Sequence, residues 1–104
     1  MSKFIVQILK GADSDIEQAI DWYESQKIGL GFDFYHSFRD ITQLLSENPF
    51  LFQEHFLFVR RAFLNRFPYT VFYAIDEQHE RVEIIAVLHQ RIHPDELKKR
   101  INFV

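Results

Sequence analysis

Cationic and imidazole side chains gather in the second half of this chain in a pattern that could do chemistry: Arg60-Arg61, Arg66, and then His89-Gln90-Arg91-Ile92-His93. An imidazole titrates near neutral pH and can move protons, while a guanidinium holds negative charge as it develops on a phosphate or binds an anionic partner. Arg61, His89 and Arg91 are therefore the candidate catalytic groups, and Arg61, Arg66 and Arg91 the candidate target-binding cations, with Arg91 at a strand end foremost. Adjacent residues of a strand point to opposite faces, so of Arg60 and Arg61 one is free to line a cleft while the other is solvated or paired. Arg66 falls in a turn and is expected in solvent. His89 and His93 stand four apart like a metal pair. Pro94 breaks the helical geometry such a pair needs, and no third ligand has suitable spacing, so no metal and no other cofactor is expected. His89 instead suits a hydrogen bond that anchors its strand end.

Those residues must be positioned by surrounding elements. Lys3 to Leu9, with Ile5, Val6 and Ile8, reads as an opening strand. Ser14-Asp15-Ile16-Glu17 offers a capping box that would start a helix, with Ile16, Ala19/Ile20 and Tyr23 as its apolar stripe and Ile28-Gly29 as its stop. The acids Asp13, Asp15, Glu17, Asp21 and Glu24 read as a solvated face. Phe34, Phe38, Ile41 and Leu45 repeat the helical spacing up to Pro49, so the two helices form a hairpin about Gly29-Leu30-Gly31. Three runs rich in Val, Ile, Phe and Tyr follow, Phe56 to Leu64, Tyr69 to Ile75 and Arg81 to His89, and predict an antiparallel meander. Ile84 to Leu88 is apolar without alternation, which predicts a strand covered on both faces near the middle of the sheet. Pro94 permits a terminal helix from Asp95 to Ile101. The expected order is β-α-α-β-β-β-α, an α+β fold with an antiparallel-rich four-stranded sheet and the helical hairpin on one face. That sheet is expected to bend and bring Arg91 to a concave face.

Composition sets the outer limits. A chain of 104 residues is expected to be a single domain, and with 47% hydrophobic residues and only three Gly and three Pro it has the profile of a packed fold. The absence of cysteine excludes disulfides and thiolate metal sites, and no apolar run suits a signal peptide or a membrane span, so the expected location is the cytoplasm. Net charge is -3, with four Lys/Arg against eight Asp/Glu in residues 1–50 and eight against seven in residues 51–104. That balance lacks the basic footprint of a general nucleic-acid binder.

Several segments, taken together, resemble one family. Asp15-Ile16-Glu17-Gln18-Ala19-Ile20-Asp21-Trp22-Tyr23-Glu24, Gly29-Leu30-Gly31, Phe38, Asn48-Pro49, Arg61 with Leu64, Phe67-Pro68-Tyr69-Thr70-Val71-Phe72-Tyr73 and His89-Gln90-Arg91-Ile92-His93-Pro94 stand in the order and spacing of the RelE/ParE superfamily. These small bacterial toxins belong to type II toxin-antitoxin (plasmid stabilisation) systems, and the resemblance is to the ParE-like branch. It spans about Asp13 to Pro94. After that proline, Asp95-Glu96-Leu97 replaces the usual aromatic.

The resemblance implies a growth-arresting toxin neutralised by a cognate antitoxin, with Trp22, Phe38 and Tyr73 as expected antitoxin contacts. RelE-like relatives cleave messenger RNA in the ribosome. They carry an arginine where this chain has Thr70, and a late tyrosine near the place of Leu97. The ParE-like branch poisons DNA gyrase by binding it, which needs no catalytic residue, and that is the expected action. The alternatives are a ribosome-dependent endoribonuclease built on Arg91, Arg61 and an imidazole, and a degenerate binding module without toxicity.

Overall fold

Why the chain folds as it does is clearest where strand passes directly into helix. In the computed structural model, which describes residues 3–101, β1 (Ile5–Ile8) ends at Leu9, whose N–H donates to the Ile84 carbonyl. The Leu9 carbonyl then accepts the Asp13 N–H, so α1 (Lys10–Gln26) begins at once, with no side chain capping it. The capping box expected at Ser14 does not form: Ser14 Oγ accepts from Gln18 Nε2 at 3.2 Å inside the helix. Tertiary pairing of the strand fixes the helix start and overrides the local signal.

The hairpin turn relies on two glycines. Gly29 has φ of 92°, a left-handed conformation that disfavours other residues, and it opens α2 (Leu30–Glu47). A Cβ on Gly31 would lie 2.7 Å from the Ile20 carbonyl oxygen, so the helices cross at backbone contact. The Glu24 carboxylate spans the turn, accepting from the N–H groups of Gly29 and Gly31 at 3.0 Å, and thus caps the positive end of α2 from the preceding helix.

Beyond Pro49 the expected strand Phe56 to Leu64 is divided. Leu57, with φ of 54°, and Phe58 form the tip of a hairpin between β2 (Glu54–Phe56) and β3 (Val59–Phe63). With β4 (Tyr69–Asp76) and β5 (Arg81–His89) the sheet has five strands rather than four, ordered β1-β5-β4-β3-β2. β1 runs parallel to β5, and the other pairs are antiparallel. The seven-residue α3 (Asp95–Ile101) closes the described chain.

The sheet is covered on both faces. On one, Ala12, Ile16 and Ala19 of α1 and Phe34, Phe38, Ile41 and Leu45 of α2 pack on Ala62, Val71, Tyr73, Val82, Ile84 and Val87. Burying a ring such as Phe34 completely contributes about 2 to 3 kcal/mol. On the other, Leu97 and Ile101 of α3 pack on Val59, Ala74, Ile85, Ala86 and Leu88. β5 feeds both cores, as its unbroken apolar run predicts, because a register shift against Phe72/Tyr73 gives it an extra residue there. α3 covers only part of its face. The rest is open.

Candidate functional site

Alternation along β3 and β4 places Arg61, Phe63, Thr70 and Phe72 on the face opposite the helical hairpin. There they line a hollow of about 280 Å³ together with Leu88 and His89 of β5, the turn Gln90, Ile92, His93 and Pro94, Leu97 of α3, and His55 of β2. Arg60, on the opposite face, donates to the Phe52 carbonyl at 2.6 Å, so the two arginines separate as strand geometry requires. The Arg61 guanidinium sits 5.5 Å from the ring centre of Phe63 and, among the described residues, meets no carboxylate.

Three imidazoles share this hollow. His89 Nδ1 accepts the Arg91 N–H at 3.0 Å, so in the neutral ring the proton sits on Nε2. His93 Nδ1 accepts the Asp95 N–H at 3.1 Å and lies 3.6 Å from the Asp95 carboxylate. His55, tilted against Phe72 with ring centres 5.8 Å apart, is held below the ordinary histidine pKa, first by burial and then by the nearby Arg61 charge. The floor carries less chemistry. Thr70 and Leu97 are each 5% exposed, one a neutral hydroxyl and the other a hydrocarbon. Among the described residues no group of three or more His, Cys, Asp or Glu is placed to hold a metal ion.

Of the candidate cations, only Arg61 reaches the hollow. Arg91, expected to be foremost on the concave face, is exposed and does not line it: the chain leaves β5 at His89 and its side chain stands outside. Arg66 is in solvent as expected, with φ of 76°, 3.7 Å from Asp33 of α2 and stacked over Phe67, away from this hollow. Phe38 is 2% exposed and Tyr73 fully buried, its hydroxyl donating to the Pro49 carbonyl at 2.7 Å, so neither has a surface to offer an antitoxin. Trp22, 57% exposed, does. It stands edge-on to Tyr23 at 5.1 Å and borders a shallow depression with Tyr69, Val87 and His89.

Two groups escaped sequence reasoning. His55 carried no signal, because the three-residue strand that aims it is too short to show a period. Asp15 did carry one. It lies three residues from Ala12 and four from Ala19, on the inward side of α1, apart from the solvated acids of that helix. Its carboxylate accepts the Val87 N–H at 2.9 Å and both terminal nitrogens of Arg100 at 2.9 and 2.8 Å, joining α1, β5 and α3.

The family model described as ParE toxin of type II toxin-antitoxin system, parDE, matches residues 6–94. This chain belongs to that family. The match runs from within β1 through β5 and stops before α3, and the hollow described above spans the boundary between the matched part and that helix. Among solved structures, a chromosomal ParDE toxin-antitoxin system from P. aeruginosa is similar with a TM-score of 0.70 at 15% identity, over 83% of this chain and 95% of the other. A RelBE toxin-antitoxin complex from Mycobacterium tuberculosis is similar with a TM-score of 0.55 at 19% identity, over 86% of this chain and 93% of the other. At those identities the likeness establishes a shared RelE/ParE architecture. No curated protein matches the chain. No helix of this ParE-family chain, among the described residues, is long and apolar enough to cross a membrane.

Proposed function

We propose that this toxin arrests growth from the cytoplasm by binding its target, with DNA gyrase the target that family resemblance favours, and that a cognate antitoxin neutralises it. One observation carries the reading: where a ribonuclease of this superfamily would need a cation and a proton-transferring hydroxyl, the hollow presents buried Thr70 and Leu97. Neither offsets phosphorane charge, and losing one such electrostatic contact costs on the order of a hundredfold or more in rate. Binding needs no such group. Exposed Trp22 supplies the aromatic anchor an antitoxin would cover.

A second reading has its own support, since Arg61 and three imidazoles do share one hollow, and an imidazole pair can in principle pass a proton onto and off a phosphodiester. Inducible expression, with plasmid supercoiling and message integrity followed together, separates the two. The expected outcome is inhibited supercoiling with intact messages, and relief when the neighbouring small reading frame is co-expressed. Ribosome-associated cuts that vanish on Arg61→Ala would replace this reading with the ribonuclease. Growth without arrest at every expression level would reduce the chain to a binding module.

A further inference from the structure

The hollow beside α3 has a one-sided charge. Its lining contains Arg61 and three imidazoles but no Asp or Glu, in a chain with 15 acids and a net charge of -3. The other strand arginines have acceptors within the protein: Arg60 has the Phe52 carbonyl, and Arg81 has Asp76 at 3.2 Å. Arg61 has none among the described residues, although it sits among the apolar rings of Phe63 and Phe72. Half-exposed Phe63 and Ile92 add hydrocarbon surface to the same hollow.

We infer that this hollow is a docking site for an acidic-apolar segment of a protein partner, with one carboxylate held by the Arg61 guanidinium and flanking apolar side chains resting on Phe63 and Ile92. The inference rests on reading the chain as a toxin that binds a protein, and it names the chemistry that the partner presents. Size and charge favour a peptide over a nucleic acid. At about 280 Å³ the space falls at or below the roughly 300–1,000 Å³ of small-molecule sites and suits one or two side chains. A nucleic-acid strand draws its affinity from several neutralised phosphates, whereas the lining has a single Lys or Arg. A single carboxylate matches a single guanidinium, which binds it through two parallel N–H donors. The imidazoles of His55 and His89 add ring N–H donors beside it. Asp95, whose carboxylate lies 3.6 Å from His93, stays outside the lining.

The test is a titration of the intact protein, read at the ring signals of His55 and His89 by NMR, with three probes: acetyl-Leu-Glu-Leu-amide, its Gln counterpart, and a short single-stranded oligouridylate. The Glu peptide is expected to shift both rings saturably in the millimolar range. The Gln peptide, and the Glu peptide on Arg61→Gln, should bind about tenfold more weakly, as loss of a charged hydrogen bond predicts, with Arg61→Lys recovering part of the affinity. Unchanged sheet signals in the same spectra show that the variants are folded. Equal binding of the two peptides, tighter binding of the oligonucleotide, or no saturable shift would each overturn the inference. Supercoiling left intact while the peptide is still captured would remove the gyrase reading alone, and supercoiling inhibited without capture would remove this one alone.

Discussion

At the scale of single residues, the side chain with the most structural consequence is Asp15. Its two oxygens serve one backbone N–H and both ends of a guanidinium while only 11% of its side chain is exposed. Removing one member of a partly buried pair strands the other, so Asp15→Ala is expected to destabilise the fold by about 3 kcal/mol in urea unfolding. Asp15→Asn, which keeps an acceptor for Val87, should cost less. If the two variants unfold at the wild-type urea midpoint, the carboxylate is not the tie described. His55 offers a second prediction. Its folded pKa lies below the unfolded value, so its contribution to stability is complete above about pH 6.5 and is lost as the pH falls through the lowered folded value. Because Arg61 supplies the second cause of that shift, Arg61→Gln should raise the His55 pKa without restoring it fully. An NMR titration that leaves it unmoved would separate the two side chains.

Among the elements, the helical hairpin was the most legible part of the sequence. The 3–4 spacing of Phe34, Phe38, Ile41 and Leu45 is a direct record of the face that α2 buries, and the glycines mark the turn. The start of α1 was not legible, because the strand hydrogen bonds of Leu9, and not any side chain near Ser14, decide it. Nor was β2, whose three residues and bulged pairing are fixed by contact with β3. The site was legible only in part for the same reason. Strand alternation correctly separated Arg60 from Arg61, but the turn after His89 is held by the Gln90 N–H on the Pro68 carbonyl and the Ile92 N–H on the His89 carbonyl, so Arg91 could not be placed by periodicity. The hairpin also yields a prediction. With the Ile20 carbonyl 2.7 Å from any Cβ at 31, Gly31→Ala must push the helices apart, and a loss of about 1 to 3 kcal/mol is expected on thermal unfolding. Glu24→Ala, which removes the shared cap of α2, should cost about 1 kcal/mol. A Gly31→Ala protein as stable as its parent would contradict the close crossing.

For the molecule as a whole, the sheet ties distant parts of the sequence together. β1 pairs with β5 from Ile5↔Arg81 to Ile8↔Ile84, and Arg100 reaches back to Asp15. Amides of Ile5 and Leu9, which donate to the Glu80 and Ile84 carbonyls, should therefore exchange with solvent no faster than those of the β5 segment beside them, within the same cooperative unit. Early release of β1 in native-state exchange would show it to be a loosely attached edge. The distance along the chain has a further consequence for birth rather than maintenance. A growing polypeptide that has produced only the opening strand and the two helices still lacks the neighbour on which the strand must lie, so the hollow at Arg61 takes shape only after the last strand has been made. That hollow is therefore absent for most of the chain's own synthesis.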